Sequence, residues 1–139
     1  MSQGKMEIYK STCAEVAYHA TSDCLEIVWD GFAPSQAFRE AFDSAANWLK
    51  THRASKWILD HKKSKIIAPE DQKWLVQEWF ATLRKDTGIP DTVALVNGVD
   101  FYGKISVTSY SKALSQDLGE EKLRLFEERT EAENWLMVS

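Results

Sequence analysis

The densest run of reactive side chains is Asp60-His61-Lys62-Lys63-Ser64-Lys65, with Asp71 following shortly after. Asp60 and Asp71 have the side chains that a general acid and a general base need. Each also has a plainer use. Asp60 closes an apolar run and can accept from loop N–H groups, and Asp71 falls in the first turn of a helix, where negative charge meets the positive end of the dipole. Ser64, flanked by Lys63 and Lys65 and shortly before a helix start, is placed where an added phosphate would meet N–H donors and positive charge. His19, His52 and His61 fall in a strand, at a helix end and at a strand end, and no spacing gathers them as ligands. Cys13 and Cys24 have Glu15, Asp23 and Glu26 as neighbours, which disfavours a thiolate nucleophile. There is no C-x-x-C, H-x-x-x-H, G-x-G-x-x-G or P-loop pattern, so neither metal nor cofactor is expected.

The chain has 139 residues, 44% of them apolar, with six tryptophans. That is enough for one domain with a core that needs no disulfide or metal support. A net charge of −4 argues against nucleic acid as a partner, and the local cluster at His61, Lys62, Lys63 and Lys65 reads as a solvated basic loop. No apolar run is long enough to span a membrane and no signal-peptide pattern precedes the first strand, so a cytoplasmic protein is expected. The cysteines fit that compartment. With a turn at Thr21-Ser22, residue 24 faces residue 19 and residue 13 faces residue 30, which leaves Cys13 and Cys24 too far apart to bridge.

These residues are positioned by alternating elements. Met6 and Ile8, then Ala14, Val16 and Tyr18, then Leu25, Ile27 and Trp29 recur at strand spacing, giving three antiparallel strands over residues 5–30, ended by Gly31. Phe38, Ala41, Phe42, Ala45, Trp48 and Leu49 form the apolar face of a helix that opens after Pro34 and ends near His52. A strand at 56–60 leads through the polar loop to a helix starting at Pro69, whose stripe is Leu75, Val76, Trp79, Phe80 and Leu83, with Gly88 as its stop. On a regular wheel Trp74 lies well off that stripe, so it either covers the loop or is exposed. A buried strand at 92–96 follows. Asp100 can cap a helix over about 101–117, although Val107, Thr108 and Tyr110 also suit a strand. A strand at 123–126 comes next, and Thr130-Glu131-Ala132-Glu133 has the spacing of a capping box for a terminal helix. The fold class is therefore a single α/β domain with a mixed sheet, in the order β-β-β-α-β-α-β-α-β-α, its last strands parallel by the right-handed crossover rule.

The stretches Leu25-Glu26-Ile27-Val28-Trp29-Asp30-Gly31-Phe32, Trp57-Ile58-Leu59-Asp60, Pro69-Glu70-Asp71-Gln72-Lys73-Trp74-Leu75 and Glu131-Ala132-Glu133-Asn134-Trp135-Leu136, in this element order, resemble the SpoIIAA-like, STAS-type domain family over residues 5–137. The resemblance implies helices largely on one side of a mixed sheet, a bacterial cytosolic protein and a non-enzymatic role. In the better-known relatives that role is binding a protein partner, switched by phosphorylation of a serine at a helix start after a central strand. Asp60 matches the aspartate of the relatives' Asp-Ser-Ser/Thr-Gly motif; Ser64 corresponds to its serine only loosely, across a longer loop without glycine. On this reading Asp60, Lys65, Asp71 and Trp74 form the partner-binding surface and Ser64 is the phosphorylation site, with a homodimer left open. Kinship in shape with CRAL-TRIO-type domains gives the rival reading, a small apolar ligand or lipid, for which Ile66, Trp74, Phe101 and Tyr102 should line a cavity. A filled core with a convex 60–71 loop favours the protein partner.

Overall fold

Alternating apolar and polar residues draw β1 (Lys5–Lys10), β2 (Ala14–His19) and β3 (Cys24–Gly31) into an antiparallel meander, in a computed structural model that describes residues 4–138. The register is the one the turn dictates: His19 faces Cys24 and Ala14 faces Trp29, while the Asp30 N–H donates to the Cys13 carbonyl at 2.9 Å. Cys13 and Cys24 are accordingly unbridged. β4 (Lys56–Ser64), β5 (Thr92–Val96) and β6 (Leu123–Phe126) extend the sheet in parallel, and the order across it is the order along the chain.

Three parallel crossovers that step the same way, each right-handed, must run over the same face. That face carries α1 (Ser35–Leu49), the rod begun by α2 (Pro69–Trp74) and ended by α3 (Phe80–Asp86), and α4 (Phe101–Leu118), packed on Val16, Leu25, Ile27, Trp29, Trp57, Leu59, Val93 and Leu95. The opposite face receives only α5 (Arg129–Met137), which packs Ala132 and Leu136 on Ile58, Ala94 and Val96. Among the described residues no helix is long and apolar enough to cross a membrane.

Most boundaries follow the sequence pattern, and the exceptions have physical reasons. Residues 101–118 are helical despite weak propensity because Val107, Tyr110, Ser111 and Leu114 are buried on the sheet, and packing outweighs a few tenths of a kcal/mol per residue. β4 runs four residues beyond Asp60, because Lys63 and Ser64 pair with Asp30 and Gly31 after a bulge. α2 is continuous with α3, but a π-helical turn at Leu75–Trp79 joins them. In a π turn the hydrogen bonds run from i to i+5, so residues five apart come nearer to one face than in an α-helix. Trp74 is thereby rotated toward Trp79. It packs half-buried against the main core and under Arg39 rather than standing free in solvent, while Val76 is only half-buried.

The capping box at Thr130 does not form. α5 starts earlier, with Glu128 at the N-cap and no side-chain cap, because Arg129 at its first position is held by carboxylates of the sheet. Asp100 does cap α4, accepting from the Gly103 N–H at 2.9 Å. Asp100→Ala is therefore expected to lower stability by about 1 kcal/mol, and Thr130→Ala by less than about 0.5 kcal/mol. Urea unfolding of the two variants beside wild type checks both; a larger loss at Thr130 would restore the capping box.

Candidate functional site

The carboxyl ends of β3, β4 and β5 lie at one edge of the sheet, the edge at which open α/β folds meet ligands and partners. Strand alternation sends Trp57, Leu59 and His61 of β4 toward the three-helix face, and Ile58 and Asp60 toward α5. The bulge then changes the phase. From Val28 to Asp30 β3 advances two residues while β4 advances three, from Asp60 to Lys63, and the extra residue puts Ser64 on the same side as His61.

The result is a buried polar chain. His61 Nδ1 lies 2.8 Å from the Ser64 hydroxyl, and its Nε2 is hydrogen-bonded to the Tyr110 hydroxyl of α4. Trp29 stacks on the imidazole at 5.9 Å between ring centres. Burial holds His61 down to about 3 and pushes the Tyr110 hydroxyl well above its ordinary value, so both are neutral at pH 7. A neutral imidazole offers one donor and one acceptor, which matches one hydroxyl on each side. Ser64 is only 3% exposed and the space beside it, walled by Trp29, Phe38, Ile66 and Ile67, is about 10 Å³, room for no more than a water. Ser64 is thus not the loop serine that the sequence suggests; a kinase would have to open the strand end to reach it.

Asp60 and Asp71, expected on a common surface with Lys65 and Trp74, are both internal and belong to different clusters. Asp60 faces α5, accepting from Arg129 Nη1 at 3.0 Å and from the Lys62 N–H at 2.9 Å. Arg129 also pairs with Glu26, and with Glu133 at 3.1 Å. Burial raises the Glu26 carboxyl, but the guanidinium and His19 outweigh it and hold it below the usual range. Asp71, 1% exposed, accepts from Ser35 Oγ at 2.7 Å and pairs with Arg39 at 3.0 Å, clamping the start of α2 to α1. Lys65 alone remains at the outer edge, 3.5 Å from Asp100. Trp74 lies on the helical side, under the Arg39 guanidinium at 5.0 Å.

Of the residues around Lys65, the sequence groups Ile66, Phe101 and Tyr102 as lining of a cavity, whereas the structure exposes them. Phe32 follows β3, Ile66 follows β4, Val99 follows β5, and Phe101, Tyr102 and Ile105 open α4; all six are exposed, Phe101 and Tyr102 by 68% and 62%. Short contacts tie their segments together. The Lys65 N–H donates to the Gly31 carbonyl at 3.3 Å, the Val99 N–H to the Lys62 carbonyl at 3.1 Å, and the Phe101 and Tyr102 rings lie 5.1 Å apart. Gly103 brings α4 down onto this edge: a Cβ there would sit 2.3 Å from the Ser64 carbonyl oxygen. Each apolar residue sits next to a strand end or helix start, and that repetition was the available signal. Comparison with known proteins leaves the geometry to speak alone: no protein family, characterised protein or solved structure matches the chain.

His61 gives the site a pH signature. The unfolded chain protonates this histidine below pH 6.5, while the folded one stays neutral to about 3, so its contribution is whole above 6.5 and is lost as pH falls. Between pH 6.5 and 5 that loss is about 2 kcal/mol. Urea unfolding of His61→Gln should show a correspondingly shallower fall over that interval; an equal fall in both proteins would mean that the imidazole is accessible to protons. Gly103→Ala should lower stability by about 1–3 kcal/mol by forcing α4 off the strand end, and an unchanged midpoint would remove the close approach.

Proposed function

We propose that this chain is a non-catalytic binding and regulatory module of the SpoIIAA-like, STAS type, which engages a protein partner at the carboxyl edge of its sheet. The observation that carries the reading is the group of exposed apolar side chains Phe32, Ile66, Val99, Phe101, Tyr102 and Ile105 around Lys65. Monomeric proteins seldom leave so many large apolar side chains together in water unless something docks there, and aromatic residues are the ones that most often anchor an interface. The order of elements, with three crossover helices on one face of a mixed sheet, supports the family reading.

The surface we propose is narrower than residues 60–74. Lys65 and Ile66 belong to it; Asp60 and Asp71 support it from inside, one holding α5 and the other fixing α2 to α1. Ser64, His61 and Tyr110 lie beneath it as a rigid floor. The rival reading of an apolar ligand finds less support, because Ile66, Phe101 and Tyr102 point outward and the enclosed space beside Ile66 is about 10 Å³. The unbridged Cys13 and Cys24 accord with a cytoplasmic setting.

Affinity capture from the native cell extract tests the proposal, with wild type beside Ile66→Asp and Tyr102→Asp. Both positions are exposed, so stability should stay within the range of surface substitutions, about 0.5 kcal/mol. Proteins retained by wild type and lost by both variants are expected. Retention unchanged by both would refute the edge as the interface, and a small molecule carried through native mass spectrometry would favour the ligand reading.

A further inference from the structure

A second surface, independent of the carboxyl edge, has chemistry of its own. α1 and the α2–α3 rod leave between them a groove of about 570 Å³, floored by Trp74, Trp79, Leu83 and Ala46. Its rim carries Asp43, Glu78 and Asp86 against Lys50, with Arg39, itself paired to Asp71, over Trp74 at one end. None of the three carboxylates forms an ion pair among the described residues. Asp43 is partly shielded from water, which raises its carboxyl above the usual value against the opposing pull of Arg39. An unpaired, partly desolvated carboxylate is stabilised by an incoming cation more than a fully hydrated one is.

The floor is equally specific. The Trp74 indole already carries a guanidinium, that of Arg39, at 5.0 Å, the geometry of a cation–π contact. Trp74 reaches the groove only because the π turn at Leu75–Trp79 rotates it there, and such turns are rare and recur at functional sites. The shape suits a chain. Glu78 and Asp86 are eight residues apart, about 12 Å along the rod, close to the roughly 13 Å that separates residues i and i+4 of an extended strand. An extended segment with basic side chains at i and i+4 would set both over carboxylates, and the residue at i+2, on the same side, would face the apolar floor.

From these features we infer that the α1/α2–α3 groove binds a basic peptide segment of a protein partner, with two Lys or Arg residues flanking one apolar residue at alternate positions. Charge complementarity selects this occupant: with the Arg39–Asp71 pair balanced, three carboxylates against Lys50 disfavour anionic lipid, nucleic acid and acidic peptides alike. The inference does not depend on the proposed role of the carboxyl edge, which lies at the end of the sheet.

The test is a titration of the labelled protein with the pentapeptide Ac-Arg-Ser-Leu-Ser-Arg-NH2 at low salt, followed by 1H–15N correlation spectra. Saturable shifts are expected at the Trp74 indole N–H and at the amides of Ala46, Asn47, Glu78 and Thr82. Asp43→Asn combined with Glu78→Gln and Asp86→Asn should weaken binding at least tenfold; all three side chains are exposed, so the fold is retained. Ile66→Asp should leave the titration unchanged, which separates this site from the carboxyl edge. Shifts that never saturate, equal shifts with the Glu-for-Arg peptide, or undiminished binding by the triple variant would each overturn the inference.

Discussion

One extra residue in β4 is the constraint on which the proposed docking edge depends. Without the bulge between Asp60 and Lys63, strand alternation would send Ser64 to the α5 side, away from His61. With it, Ser64, His61 and Tyr110 close a hydrogen-bonded chain in which each imidazole nitrogen has one partner. That chain lets a histidine remain wholly buried without charge. An unpartnered nitrogen there would cost about 1–3 kcal/mol. The same turn of the strand presents the Ser64 carbonyl to α4, and only a glycine at 103 allows the helix to come so close. Phe101, Tyr102 and Ile105 are displayed beside Ile66 because the helix start is pinned at that point.

The carboxylates of the central stretch serve the docking of helices. Arg129 gathers Glu26 and Asp60 on the far face, and these two buried acids come from different strands, so the guanidinium fixes where α5 begins. Removing one partner of such a cluster leaves buried charge uncompensated, a loss of about 3–5 kcal/mol. On the near face Asp71 joins Ser35 and Arg39, and Arg39 passes on to Trp74. Two carboxylates that look free for acid–base work in the sequence are thereby committed on opposite sides of the sheet. Their separation is itself a result of alternation: Asp60 points toward α5, and Asp71 belongs to a helix on the other face.

The elements were legible in the sequence because periodicity reports burial over many residues at once. β5 and β6 were read to the residue, the β2–β3 register followed from its turn, and Asp100 announced α4. The site was less legible. Asp60 and Asp71 are internal rather than on the expected surface, and Ser64 and Trp74 each stand beside a single-residue insertion, the bulge in β4 and the π turn after α2. A regular period, two for a strand or 3.6 for a helix, assigns the wrong face to anything beyond such an irregularity. Arg129 was missed for another reason: its partners Glu26 and Asp60 lie 103 and 69 residues away, and no local pattern records a long-range ion pair.

The buried relay and the exposed edge suggest opposite kinds of function, and energetics is the ground on which we propose the second. A serine–histidine–tyrosine chain invites a catalytic reading, but a nucleophile must meet substrate, and Ser64 is sealed by Trp29, Phe38, Ile66 and Ile67. Opening that seal would expose His61 and aromatic surface together, each large side chain losing about 1.5–3 kcal/mol of burial. The edge has no such barrier. Phe32, Phe101 and Tyr102 are already in water, so covering them adds favourable burial without disturbing the core. Folding gains little from their exposed rings, whereas a docked surface would recover the transfer free energy of all six apolar side chains. The interior chain, by keeping Ser64 and α4 in one arrangement, would reduce the ordering cost of the docking we propose.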